Sequence, residues 1–147
     1  MSFRYAIEGI IAAIKSEAHL RFHLVIANLI AVFAKVYGIS KMEWAILTIC
    51  IFAVISAELF NTAVERTVDT ATEEIKPTAK LAKDAAAGAV LMLCLCSVIV
   101  GIYLFGDFTR IGSTLVHIFT EPKILIPCLV LGIFDVVFLI FGGKNDR

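Results

Sequence analysis

Four polar residues in one apolar stretch carry the chemistry of this sequence. In AELFNTAVERTVDTATEE, residues 57–74, they are Glu58, Asn61, Glu65 and Asp69. Their offsets are 0, 3, 7 and 11. At about 100° per residue, offsets 7 and 11 return to within about 20° of the start, and offset 3 lies about 60° away. A helix would place all four on one face, with Thr62 beside them. An ionisable group inside hydrocarbon costs about 2.5 kcal/mol or more. Repeating that cost on one face requires a partner helix, water or a cation. Three carboxylates on one face can bind a hard divalent cation through oxygen, and magnesium typically takes one or two carboxylates plus phosphate oxygens. Two other readings stay open here. The stripe can be a polar helix seam with protonated carboxyls, or the helix can end after Asn61 and leave the rest solvated.

Two further segments supply charge near this stripe. KLAKDAAAGAV, residues 80–90, sets Lys83 beside Asp84 where an apolar run begins. Lys83 can neutralise a phosphate, and Asp84 can cap a helix or orient a cation ligand. With Lys76 and Lys80 these lysines suit an anion, although a merely solvated basic loop has the same composition. The small residues that follow allow close helix approach. Glu17 precedes AHLRFH and falls at the same interface as Glu65, so the two can share a cation. His19 and His23 are read as ordinary interfacial histidines rather than ligands.

The elements that must position these residues are membrane helices. Of 147 residues, 60% are apolar and 18% charged, with mean hydropathy +0.93. Soluble domains run at about 45–50% apolar and about 25% charged. This balance excludes an ordinary soluble domain and a disordered chain. Net charge is zero, and no basic tract suggests nucleic acid. Cys50, Cys94, Cys96 and Cys128 lie within apolar runs without metal spacing, so they are read as small core residues.

FRYAIEGIIAAIKS, residues 3–16, has apolar residues at helical spacing and predicts an amphipathic surface helix rather than a signal peptide. Spans are predicted from about 20–24 to 39, from 42 to about 65, from about 85 to 105 and from about 122 to 142. The first carries Asn28 and Lys35, and the fourth is interrupted by Asp135. The 107–121 connection is partly amphipathic and suits the opposite membrane surface. Nine basic residues fall in the N-terminal stretch, the 66–84 loop and the tail, against four on the other side. That asymmetry predicts a cytoplasmic N-terminus, loop and tail.

At this point the residues resemble a known family. The run Glu58-Leu-Phe-Asn61-Thr62-Ala63-Val-Glu65-x-x-Val68-Asp69, then Ala82-Lys83-Asp84, then Ala87-Gly88-Ala89-Val90, resembles the prokaryotic diacylglycerol kinases, which include undecaprenol kinases. Tyr5, Gly9, Glu17 and Arg21 fit the same pattern, and the resemblance covers about residues 3–106. It implies a small all-α integral-membrane enzyme with an N-terminal amphipathic surface helix and three transmembrane helices. Such enzymes are homotrimers with shared active sites. They transfer the γ-phosphate of ATP, with magnesium, to the hydroxyl of a membrane lipid.

The resemblance also implies roles for individual residues. Glu58 matches the general base at the lipid hydroxyl. Glu17 and Glu65 match magnesium ligands. Asn61, Asp69, Glu74, Lys83 and Asp84 match residues around ATP and the reacting centre. Tyr5 matches an ATP contact, Lys76 falls in the nucleotide loop, and Arg21 is carried over as a substrate contact. Neither a P-loop nor a kinase glycine loop is present, which argues against the soluble kinase classes.

Two departures stand out. The family often has histidine near Lys76, and here Pro77 follows instead. The chain also continues past the three-span core. We therefore divide it into a kinase-like membrane domain, 1–106, and an extension, 107–147, with a fourth span whose Asp135 is expected to make a structural or subunit contact. The segment KDAAAGAV is similar to the Gram-positive branch, for which undecaprenol is the usual acceptor; diacylglycerol is the alternative. A transporter or non-catalytic scaffold is the remaining rival. The first would need polar residues on several spans, and the second would be expected to lack one of Glu17, Glu58, Glu65, Lys83 or Asp84.

Overall fold

The computed structural model describes residues 3–71 and 76–143. Six helices follow in order: α1 (Phe3–Ser16), α2 (Ala18–Tyr37), α3 (Lys41–Ala71), α4 (Pro77–Phe105), α5 (Phe108–Thr120) and α6 (Pro122–Phe141). Helices α2, α3, α4 and α6 are each long and apolar enough to cross a membrane. The protein is an all-α integral membrane protein with an amphipathic helix before the first span and an additional fourth span.

Local chemistry explains the boundaries. Glu17 has extended backbone (φ −102°, ψ 113°), so it forms an elbow between α1 and α2. Helix α2 ends at Gly38, whose φ of 77° is left-handed and strains any residue with a Cβ. Ser40 and Glu43 form a reciprocal capping box at the start of α3. The Ser40 N–H donates to Glu43 Oε2 at 2.6 Å, and the Glu43 N–H donates to Ser40 Oγ at 3.3 Å. Pro77 opens α4, where its missing N–H costs nothing. Asp107 caps α5 by accepting from the Arg110 N–H at 3.0 Å.

Two helices overrun the predicted spans. The second span is predicted to about residue 65, yet α3 continues to Ala71; the third is predicted from about 85, yet α4 starts at Pro77. The 31 residues of α3 extend about 46 Å, against about 30 Å of hydrocarbon. Hydropathy marks where a helix leaves lipid, whereas backbone hydrogen bonding continues beyond that level. The unbroken α3 removes the reading in which the helix ends after Asn61.

Helices α3 and α4 form the most extensive pair, running antiparallel. Helix α2 packs on α3, and both α5 and α6 pack back against α2. One end of the bundle is aromatic. Ala34, Tyr37, Ile39, Leu47 and Leu104 are buried there beside Phe33, Trp44 and Phe105. Arg110 closes this end, donating to the Tyr37 and Gly38 carbonyls at 2.7 and 3.0 Å, with its guanidinium 4.2 Å from the Tyr37 ring centroid. The opposite end holds Glu17, the end of α3 and the start of α4. It is the carboxylate end.

Candidate active site

The α3 stripe steps from the apolar interior to the surface. Glu58 lies deepest and is only 6% exposed, and Thr62 beside it is equally buried. His23 of α2 faces Glu58, with Nε2 2.9 Å from Oε1. One turn on, the Asn61 amide donates to Glu65 Oε1 at 2.9 Å. Past that, Arg66 donates to Ser16 Oγ and its guanidinium lies 3.6 Å from Glu17 Oε1. Ser16 Oγ is itself 2.9 Å from the same Glu17 oxygen. Asp69 closes the stripe in an ion pair with Lys83, which ties the end of α3 to the start of α4 at 2.5 Å. Asp69 is two-thirds exposed, so this pair contributes about 1 kcal/mol or less to stability.

The remaining candidates are spread around this end. Asp84 is exposed in the second turn of α4, next to Lys83. Tyr5 is 68% exposed on α1. Lys76 is the residue before α4, with extended backbone (φ −87°, ψ 139°). Glu74 lies outside the described residues. Arg21 is engaged in the elbow: its guanidinium donates to the Ile14 and Lys15 carbonyls at 2.9 and 3.0 Å, capping α1, and the residue is buried. A Cβ at Gly143 would fall 2.8 Å from both Arg21 Nη atoms, so the end of the α6 segment lies directly on the guanidinium.

The donor set suits a hard cation. Asn61 Oδ1 is buried and has no hydrogen-bond partner among the described residues. It belongs to the same amide whose nitrogen donates to Glu65, so an unsatisfied oxygen donor sits beside a carboxylate. No group of three His, Cys, Asp or Glu is gathered as a metal cage among the described residues. Magnesium bound together with phosphates does not require one, since substrate oxygens and water complete its shell.

Helices α2, α3 and α4 line an open apolar groove of about 600 Å³. His23 and Cys94 line it towards the carboxylate end, and Phe33, Leu47 and Phe105 line it towards the aromatic end. From Phe22 to Phe33 it follows α2 for about 16 Å.

The sequence reading overlooked three residues here. From sequence, His23 reads as an interfacial histidine, and nothing singles out Ser16 or Arg66 for the site. A signal existed for His23: Ile26, Ala27 and Ile30 follow at helical spacing, so an imidazole shares the α2 face that lines the cavity. Asp135 does make a structural contact, within the chain: it accepts from Asn28 Nδ2 at 2.8 Å.

A membrane helical bundle whose carboxylate stripe runs from the buried Glu58, beside an apolar groove, to the exposed Asp69 suits chemistry on a lipid. Comparison with known proteins makes this specific. The family model described as prokaryotic diacylglycerol kinase matches residues 4–105. The chain is 39% identical over 104 residues to an undecaprenol kinase of Bacillus subtilis, covering 71% of this chain and 85% of that one. It is 36% identical over 102 residues to a diacylglycerol kinase of Synechocystis, covering 69% of this chain and 58% of that one. A diacylglycerol kinase of Helicobacter pylori is 33% identical over 107 residues, covering 72% and 84%. No solved structure matches. The chain belongs to the prokaryotic diacylglycerol kinase family, and it is a lipid kinase.

Proposed function

We propose that this chain transfers the γ-phosphate of ATP to the hydroxyl of undecaprenol, with magnesium, on the cytoplasmic face of the cell membrane. The observation that carries this reading is the placement of Glu58: a buried carboxylate that starts the polar stripe and contacts His23, which lines the apolar groove. A lipid alcohol reaches Glu58 from the hydrocarbon side, and a nucleotide reaches Glu65, Asp69 and Lys83 from water. Glu58 takes the proton of the lipid hydroxyl. That oxygen forms a bond to the γ-phosphorus while the bond from this phosphorus to the β,γ-bridging oxygen breaks, releasing ADP.

Phosphoryl transfer depends mainly on positioning and charge neutralisation. Glu17 and Glu65, with the Asn61 carbonyl, would hold magnesium, which when bound neutralises phosphate oxygens. Lys83, oriented by Asp69, faces developing negative charge. Tyr5, Lys76, Glu74 and Asp84 are assigned to the nucleotide. Nine basic residues against four support the cytoplasmic orientation. We also propose a homotrimer with shared sites, built on the 1–106 domain with the 107–147 extension outside it. The largely outward-facing apolar surfaces of α4 and α6 supply area for lipid and neighbouring subunits.

The acceptor assignment draws on KDAAAGAV and on the Bacillus relative named undecaprenol kinase. Diacylglycerol is the second reading, favoured by the relatives named diacylglycerol kinase. Transfer of labelled γ-phosphate by the purified protein, with both lipids offered side by side, separates them. Glu58→Gln is the control and is expected to abolish transfer while ATP binding persists. Product mainly from diacylglycerol overturns the acceptor, turnover by the Gln variant overturns the base, and no product from either lipid overturns the reaction.

A further inference from the structure

We propose that His23 is a positioning residue: it holds one oxygen of Glu58 so that the other faces the mouth of the α2–α3–α4 cavity, where the acceptor hydroxyl enters. The proposal rests on the reading of Glu58 as the base.

The geometry is specific. His23 Nε2 lies 2.9 Å from Glu58 Oε1, within hydrogen-bond distance of an N–H donor. The Glu58 side chain is 7% exposed and that of His23 is 21% exposed. His23 itself lines the cavity, as do Val54 and Ile55 from the turn of α3 before Glu58. The contact therefore sits at the polar end of an otherwise apolar chamber. A carboxylate there has little water to fix its rotamer. Glu58 has three side-chain torsions, and an unheld group would sample several of them. An imidazole N–H on Oε1 selects one rotamer and leaves Oε2 to accept the hydroxyl proton. The same division of labour is seen wherever a catalytic base is oriented by a third group.

The groove is also apolar along its length. It runs about 16 Å beside α2, and its lining offers few polar atoms beyond His23, Ser97 and the cysteines. An apolar chain lying along it would bring a terminal hydroxyl to His23 and Glu58. Misplacing a reacting group by about 1 Å costs about 100-fold in rate. A role in orientation therefore predicts a loss in kcat, with ATP binding left alone.

The test compares three full-length variants, His23→Leu, His23→Asn and His23→Gln, with wild type and Glu58→Gln as references. Lipid phosphorylation is followed while ATP and the lipid alcohol are varied separately. A Gln amide nitrogen reaches the place of Nε2, whereas an Asn amide falls short of it. Expected is a fall in kcat of about 100-fold for His23→Leu and His23→Asn, an unchanged KM for ATP, and recovery to within about 10-fold of wild type for His23→Gln. Wild-type kcat in His23→Leu, with Glu58→Gln inactive, overturns the role of His23 and leaves the base intact. Equal losses in Asn and Gln variants overturn it too, since a packing role would show no rescue by the longer amide. If Leu fails to fold, the Asn and Gln pair decides alone. Turnover by Glu58→Gln overturns the parent reading instead.

Discussion

Asn28 and Asp135 join the first span to the fourth, and the strength of that link can be worked out. Asp135 is 5% exposed, although α6 otherwise presents apolar residues to its surroundings. Its Oδ2 accepts from Asn28 Nδ2 at 2.8 Å. Interhelical hydrogen bonds in membranes contribute about 0.6–2 kcal/mol. Replacing Asn28 by Leu does more than delete that bond, because it leaves a buried carboxyl unpartnered at a cost of about 1–3 kcal/mol. Asp135→Leu leaves only a neutral amide behind and should cost less. The double variant removes both partners and should cost less than the sum of the single changes. A double-mutant cycle is therefore expected to return a coupling of about 1 kcal/mol. The assay is reversible unfolding in mixed detergent micelles, with helix content and tertiary fluorescence followed together. Additivity of the two changes within about 0.3 kcal/mol would refute the reasoning. It would mean that water or lipid headgroups satisfy Asp135 as well as Asn28 does.

Two further outcomes follow from the carboxylate end and the extension. Glu65→Gln should raise the magnesium concentration needed for half-maximal turnover by about 10-fold or more, measured by titration of the metal at saturating ATP; an unchanged requirement removes Glu65 from the metal shell. Truncation after Thr120 should leave an active kinase that is less stable by about 1 kcal/mol or more, since Asn28 loses its partner and α2 its packing against α6, and adding Asn28→Leu should restore part of that loss. A folded but inactive truncation would show that α6 contributes to catalysis.

Elements set by local pattern were legible in the sequence, and contacts set by helix rotation were not. The apolar spacing of residues 3–16 foretold α1, and the repeat of Glu58, Asn61, Glu65 and Asp69 foretold a single helical face because the period is fixed by backbone geometry. Helices α3 and α4 continue beyond the predicted spans because hydropathy falls before the helix does. Pro77, which suits a first helical turn, was a usable signal for the start of α4. Pairings between distant helices depend on which faces meet. Asp135 stood out as a costly residue, but nothing local linked it to Asn28. Arg21 matched a substrate contact in the resembling family, yet its guanidinium caps α1 and lies under Gly143. Lys83 stands out in the sequence as an expected phosphate neighbour, while its pairing with Asp69 is visible only with α3 and α4 side by side.

The seat of Arg21 has a consequence for how the chain matures. The elbow between α1 and α2 is made well before α6, and its guanidinium is covered by Gly142 and Gly143, which follow α6. Contacts between residues so far apart in sequence form late, because loop closure must come first. The kinase-like helices can therefore insert and pair while the elbow is still open to water. Docking of the fourth span then closes it, so the state of the N-terminal joint reports on whether α6 is in place.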